Sequence, residues 1–549
     1  MARRTSAWLG ALMAVAMLTL AACGGGAAPS AGKSEPGSEA TSEGGQQGQV
    51  TLVWGRGGDS VGLDPANVTD GESLKVTEQI FDTLLQFQGD TTNVGPGLAT
   101  GCEANQDATE WTCTLREGVK FQDGTPFNAE AVKFNFDRWM NSKNPYRFQG
   151  EDFGYYAYMF GGFDDKSVIK SVDVIDDTHV KFTLRNPLAP FLQNLAMAPF
   201  AIASPTAIQK YGADFFKNPV GTGPFKFVRW DKDSQIVLAR NDNYWGDPAK
   251  VDQLVFRVIP DNSERLLELQ SGTIHFADGI SPSDVPTIKS DPNLQLFLRP
   301  ANDIGYLAFN TEKPPFNNKK VRQAFNMAID KQAIVNAFYG DLGQVANTPL
   351  PPNMWGHSNL QDYPYDPDQA KKLLQEAHFD FSKTYELWAM SNPRPYFPEP
   401  TKIAEAIAQD LAKIGVQVKI VTFDWSTYLS KTENGEHTMA LLGWIGDNGD
   451  PDNFLYVLLD KDNATKGSAG NIAFYKSDAL HQLLIKAQQT PDQATRTQLY
   501  EQAQQIIHED APWVPLVYAQ DPVAASAKVQ GYVPSPLGLE QLNHVSLSK

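Results

Sequence analysis

Beyond its first fifty residues, the chain switches between two periods of hydrophobicity. A period of two marks strands: Thr51-Leu52-Val53-Trp54 opens the series, and Ser171 to Asn186 reads as a hairpin, with Val172 and Val174 alternating before Asp176-Asp177 and Val180, Phe182 and Leu184 after it. A period near 3.6 marks helices. Asp366-Pro367 supplies an N-cap and a first-turn proline for a helix that carries Ala370, Leu373, Leu374 and Ala377 on one face. Thr401 starts another, with Ile403, Ile407, Leu411 and Ile414 in one stripe and Gly415 as its stop; a strand follows at once through Val416, Val418 and Ile420. Helix feeding directly into strand is the succession of layered α/β domains, so the fold class is α/β with substantial β content. No fixed-period repeat occurs, which excludes solenoids and propellers.

The first fifty residues follow a different logic. Arg3 and Arg4 precede an apolar run from Ala7 to Leu20, the charged-then-hydrophobic order of an export signal. Leu20-Ala21-Ala22-Cys23 then resembles a bacterial lipobox, which predicts a signal peptide over 1–22 and a diacylglycerol anchor on Cys23; the alternative is an ordinary signal with an incidental cysteine. Residues 23–49 are Gly, Ala, Ser, Glu and Gln with almost nothing to bury, a flexible tether. No later stretch reaches the ~18 continuous apolar residues of a membrane helix, so attachment to the membrane is expected through the lipid alone.

A length of 549 residues exceeds what one hydrophobic core organises and favours two or three domains. The net charge of −18, with no dense basic run past the N-terminus, argues against nucleic acid as a partner. Two cysteines remain, Cys102 and Cys113, flanking Asn105-Gln106-Asp107 in a predicted hairpin where Trp111, Cys113 and Leu115 share a face. Export permits a structural disulfide between them, and a pair of inert thiols is the alternative.

Enzymatic chemistry finds little to stand on. No His-Glu-x-x-His pair occurs, and the eight histidines are scattered without metal-ligand spacing, so neither a metal nor any other cofactor is expected. Gly221-Thr222-Gly223-Pro224-Phe225-Lys226 has a superficial likeness to a phosphate loop, but Pro224 removes a backbone donor, and a tight turn is expected. The informative stretch is Gly443-Trp444-Ile445-Gly446-Asp447-Asn448-Gly449-Asp450-Pro451-Asp452. It follows the apolar Met439-Ala440-Leu441-Leu442 and so sets carboxylates at the end of a strand, where α/β proteins bind ligands. The regular spacing and terminal Glu of a calcium loop are missing.

Separated segments then converge on one family. Gly221 to Phe225, Asn243-Tyr244-Trp245-Gly246, Val321-Arg322-Gln323-Ala324-Phe325 and Gly443 to Asp452 resemble the extracytoplasmic solute-binding proteins of peptide, nickel and oligopeptide ABC importers. Leu387-Trp388-Ala389-Met390, Arg394-Pro395-Tyr396, Asp424-Trp425, Gly435-Glu436-His437 and Trp444 to Asp452 point to the dipeptide-binding branch. The likeness runs from about Thr51 to near the C-terminus. It implies a two-lobed binding-protein fold with an additional α/β domain and a hinged cleft. Lobe I would combine 50–82, 217–299 and 518–549; the extra domain would be 83–216, and lobe III 300–517.

The resemblance also implies a site. Asp447 falls on the aspartate that holds a peptide's α-ammonium and Arg394 on the arginine that holds its α-carboxylate; read without the resemblance, Asp447 would cap a turn and Arg394 would lie on a solvated loop. The two charges are expected to face each other across the cleft and to select peptide length, since a longer peptide would not reach both. Trp444, Gly446, Tyr396 and Tyr156 are expected at the cleft wall, and Thr69, Asp70 and Gly71 where lobe I approaches the ligand. The expected partners are a dipeptide or short peptide and the permease of the importer, with the protein a monomer on the outer face of the membrane. Rival readings are the same receptor carrying haem, glutathione or a nickel chelate and, more remotely, a secreted peptidase. The Cys102/Cys113 pair and the long tether lie outside the resemblance.

Overall fold

The computed structural model describes residues 49–148 and 150–548. The signal segment, Cys23 and nearly all of the tether fall outside the described residues.

Three sheets carry the architecture. A seven-stranded sheet runs in the order Leu294–Leu298, Pro522–Ser526, Phe276–Ala277, Thr51–Arg56, Gln253–Val258, Gln235–Arg240, Phe225–Asp231. Its central strand, Thr51–Arg56, lies parallel to both neighbours, and Trp54 stacks on Phe276 with ring centroids 4.5 Å apart. A six-stranded sheet runs Gly343–Val345, Trp513–Ala519, Asp303–Phe309, Met439–Ile445, Thr384–Met390, Gln417–Phe423. Every residue of Asp303–Phe309 is buried, which is why this strand reads as a near-continuous apolar run instead of alternating. The third sheet is an antiparallel set of four strands in the order Ala99–Ala104, Glu110–Leu115, His179–Leu184, Ile169–Asp176.

The chain enters and leaves the seven-stranded sheet repeatedly. It passes from there to the six-stranded sheet near residues 299–303 and returns near 519–522. These two crossings run side by side: Leu298 pairs with Pro522, the Arg299 amide donates to the Asp521 carbonyl at 3.0 Å, and the Ala519 amide donates to Asp303 Oδ1 at 2.7 Å. Arg299 binds the carboxylates of both Asp521 and Glu540 at this crossing.

Local expectations meet the structure as follows. Asp366 caps the helix Pro367–Glu376 by accepting from the Gln369 amide at 2.9 Å. The helix expected from Thr401 spans Pro400–Lys413, beginning at the proline because its fixed φ suits a first turn; Gly415, at φ 90°, ends it, and the strand Gln417–Phe423 follows. The predicted hairpin at 171–186 is the pair Ile169–Asp176 and His179–Leu184.

Cys102 and Cys113 sit directly opposite each other in the first two strands of the four-stranded sheet and are joined by a disulfide. The sequence separation of 11 residues makes the closed loop short, and the chain-entropy argument gives a contribution of about 2–3 kcal/mol. Replacing both cysteines by serine should therefore lower the unfolding free energy of the part containing this sheet by that amount, which moves its urea midpoint down by roughly 1 M or more. Reductant should produce the same shift in the unaltered protein and none in the double variant.

Candidate functional site

The strands Thr384–Met390 and Met439–Ile445 lie parallel and adjacent, so their C-terminal ends open at the same edge of the six-stranded sheet. Arg394 follows the first strand and Asp447 follows the second. Both line one cavity of about 1080 Å³, its open mouth included. Thr69, Asp70, Gly71, Tyr396 and Trp444 line it too. The two charges therefore come from loops that follow neighbouring strands of one sheet and not, as expected, from opposite sides of the cleft; Thr69, Asp70 and Gly71 are contributed by the first part of the chain.

Asp447 is held from both sides. Tyr155, on the helix Gly154–Phe160, donates its hydroxyl to Asp447 Oδ2 at 2.9 Å, and Asn453 Nδ2 donates to the same oxygen at 3.2 Å. Asn453 Oδ1 accepts from the Asp447 amide (2.9 Å) and from Trp444 Nε1 (2.8 Å), so one asparagine orients both cavity residues. Burial, opposed by the Tyr155 and Asn453 hydrogen bonds, pushes the Asp447 carboxyl up to about 7. The other two aspartates of this run serve the fold. Asp450 accepts from both terminal nitrogens of Arg496 at 2.7 and 2.8 Å, and Asp452 begins the helix Asp452–Leu459 and accepts from Gln488 at 3.0 Å.

Arg394 is fixed by a tight turn: its amide donates to the Phe397 carbonyl and the Phe397 amide donates back, each at 2.9 Å. Its guanidinium lies 4.1 Å from the centre of the Trp425 ring and donates to Glu72 Oε1 at 3.3 Å. Glu72 belongs to the helix Gly71–Ile80, whose N-cap is Asp70, accepting from the Ser73 amide at 3.0 Å. Burial works against the charge on Arg394, and Tyr396, Glu72 and Asp70 more than offset it, so its pKa stands above the usual guanidinium value. Three buried atoms in this corner have no hydrogen-bond partner among the described residues: Arg394 Nε, Asp70 Oδ2 and Glu72 Oε2. Buried polar groups are rarely left so, and the concentration of three around one arginine is what a site for a polar ligand provides.

Two expected wall residues are elsewhere. Tyr156 points away from the cavity because one residue along a helix turns the side chain by about 100°; its hydroxyl meets Ser167 Oγ at 2.7 Å and its ring stacks on Phe163. Tyr155 and Tyr158, three apart on the other face, line the cavity instead, a spacing that the run Gly154-Tyr155-Tyr156-Ala157-Tyr158 carries openly. Gly446 spends its backbone internally, donating to the Asn302 carbonyl (2.8 Å) and accepting from Asn302 Nδ2 (2.9 Å). It is Gly443 whose small size matters at the wall, since a Cβ there would sit 2.3 Å from the Tyr396 ring. Glu72 and Asn453 stand at the site with no motif of their own to announce them, while Trp425 belongs to the Asp424-Trp425 segment that carries the family resemblance.

Other groups bear on chemistry. Gly58-Asp59-Ser60-Val61-Gly62 has the spacing of a hydrolase nucleophile elbow. Ser60 is fully buried; its hydroxyl donates to the Glu72 carbonyl and accepts from Arg56, each at 3.1 Å, and no base is among its partners. Asp460, Asp462 and His481 lie within metal-ligand reach of one another, yet Asp460 is engaged in capping a short helical turn and bonding His481 at 3.0 Å. No helix among the described residues is long and apolar enough to cross a membrane.

The raised pKa of Asp447 has a definite sign. Its folded value lies above the unfolded one, so its contribution to stability is intact below about pH 4 and is lost as pH rises through about 7. Asp447→Asn should raise the melting midpoint of the ligand-free protein at pH 8.5 by roughly 2 °C, and the gain should shrink to nothing toward pH 4. A gain independent of pH would point to packing, not charge.

Comparison with known proteins places this geometry. Residues 93–466 match the family described as bacterial extracellular solute-binding proteins, family 5, middle. The dipeptide-binding protein of Escherichia coli K12 is 38% identical over 511 residues, covering 90% of this chain and 94% of its own. Heme-binding protein A of Haemophilus influenzae is 37% identical over 552 residues, covering 97% and 98%. Among solved structures, an ABC transporter-associated periplasmic binding protein from Helicobacter pylori in complex with the peptide STSA superposes with a TM-score of 0.86 at 38% identity, covering 92% of this chain and 99% of that one. By sequence over two thirds of its length and by fold over nearly all of it, the chain belongs to the family 5 bacterial extracellular solute-binding proteins.

Proposed function

We propose that this protein is the substrate-binding receptor of an ABC importer and that it captures dipeptides and similarly short peptides by their charged ends. Members of the family are transport receptors and not enzymes. The observation that carries the reading is the pair of desolvated opposite charges, Asp447 and Arg394, on adjacent strand ends of a single cavity. A zwitterion removed from water needs a counter-charge at each end, and charge-assisted hydrogen bonds are roughly twice as strong as neutral ones.

In this reading Asp447 receives the α-ammonium, with Tyr155 and Asn453 holding its carboxylate in place. Arg394 receives the α-carboxylate; its unpartnered Nε and its planar fork suit two parallel bonds. Glu72 contacts this guanidinium and also lies near Arg56, whose NH1 is 3.8 Å from Glu72 Oε2. Residues 50–82, 217–299 and 518–549 form one lobe, 83–216 the additional domain, and 300–517 the second lobe. The lobes close about the paired crossings at 299–303 and 519–522, and the closed form docks on the permease. Cys23 carries the lipid anchor, and the protein acts as a monomer. The four-residue peptide in the Helicobacter relative loosens a strict length limit, since termini further apart are accommodated in that protein.

The name of the Haemophilus relative keeps haem as a second reading. A haem absorbance band retained by protein from a haem-fed culture, together with no response to dipeptides, would favour it.

Calorimetry tests the terminal charges. Asp447→Ala and Arg394→Ala should each weaken dipeptide binding by ~2–5 kcal/mol, the range for a buried charge deprived of its partner; affinity near that of the unaltered protein in either variant would refute the assignment. Affinity should also depend on pH. An ammonium binds the ionised form of Asp447, so lowering pH from 7.5 to 5.5 should weaken binding on the order of tenfold, and the dependence should disappear in Asp447→Asn.

A further inference from the structure

The helix Trp425–Glu433 runs along the cavity from the Arg394 end, where Trp425 supports the guanidinium. Leu429, one turn on, and Thr432 and Glu433, at the far end of the helix, also line it. The same cavity wall includes the apolar Leu458, Ala469 and Ile472 and the ring of Tyr158, whose hydroxyl donates to the Ser468 carbonyl at 3.0 Å.

Glu433 is an unfavourable residue for this position on structural grounds alone. It ends a helix, where the backbone dipole repels negative charge. Its carboxylate is partly buried and has neither a hydrogen bond nor an ion pair among the described residues. The nearby cation on its own helix, Lys431, is turned to Glu436. Burial, with Asp152 nearby as a second cause, pushes its carboxyl up to about 8. Each of these penalties is removed by one thing, a cation brought into the cavity. A cavity wall with apolar Leu458 and Ile472 and an unpaired carboxylate at Glu433 fits a long aliphatic side chain with a charged tip, whose methylenes would pack on the apolar residues while the head reaches the acid.

We propose that Glu433 makes this end of the cavity a subsite for a basic peptide side chain, lysine or arginine, so that the receptor favours cationic short peptides over apolar ones of the same length. The proposal rests on the peptide reading above, and the experiment separates the two.

The full chain is titrated by calorimetry with Ala-Ala, then with the pairs Lys-Ala against Met-Ala and Ala-Lys against Ala-Met, methionine matching lysine in length without its charge. The lysine peptide should bind more tightly than its methionine counterpart at one of the two positions by roughly tenfold or more. In Glu433→Gln that ratio should fall to near one, while Ala-Ala keeps its affinity within about twofold, which also shows that the variant is folded and its terminal sites intact. Equal affinities within both pairs in the unaltered protein, or a lysine preference that survives Glu433→Gln, would overturn the subsite while leaving the peptide reading in place. Failure of all five peptides to bind the unaltered protein would overturn the peptide reading itself, and this subsite with it.

Discussion

Charge removed from water without a full set of partners is the constraint around which the cavity is organised. Asp447 and Arg394 are each taken out of solvent beyond the end of a strand, and each keeps unused hydrogen-bonding capacity: two neutral donors meet one oxygen of the aspartate, and the arginine, its charge favoured by Tyr396, Glu72 and Asp70, leaves Nε without a hydrogen-bond partner among the described residues. Elsewhere the same chain satisfies buried charges thoroughly, as in the two parallel bonds between Arg496 and Asp450 or the contacts of Arg299 with Asp521 and Glu540. The contrast separates charges that hold the fold from charges held ready for something else.

The sheet geometry makes this arrangement possible. Parallel neighbours end at the same edge, so two loops far apart in sequence emerge together, and the strands beneath them are too well buried to move. The loop after Met439–Ile445 is then pinned by contacts that have nothing to do with a ligand. Asn448 donates to Asn194 at 2.9 Å, Trp355 donates to the Gly449 carbonyl at 3.1 Å, and Asp450 grips Arg496. Rigidity around Asp447 costs the aspartate nothing further and keeps it from relaxing toward water. On the other side, Tyr155 and Glu72 come from parts of the chain that belong to other sheets or to the helices packed on them. The site is therefore complete only when those parts stand against the six-stranded sheet.

Relatives named for different ligands, a dipeptide in one and haem in another, stand at nearly equal identity to this chain. Overall similarity thus speaks for the scaffold and its transport role, while ligand chemistry is written in a handful of side chains at one cavity. A carboxylate and a guanidinium line that cavity, with a third acid, Glu433, among the lining residues.

Local chemistry was legible in the amino-acid order because its causes are local. Alternation gave away the hairpin at 169–184, an Asp-Pro pair announced the helix Pro367–Glu376, and a glycine marked where Pro400–Lys413 must stop, each from forces acting within a turn or two. Recurring motifs pointed to the family and, through it, to Asp447 and Arg394 as cavity residues. One residue along a helix changes the face: Tyr155, not the expected Tyr156, lines the cavity, and the three-residue spacing of Tyr155 and Tyr158 contains that answer. Other matters had no local cause. That Asp450 and Asp452 serve the fold while Asp447 lines the cavity depends on Arg496, Gln488, Tyr155 and Asn453. That Glu72 reaches Arg394 depends on folding back the chain across a sequence separation of 322. Burial, and with it every shifted pKa, is a property of what packs against a residue, and only the tertiary structure decides that.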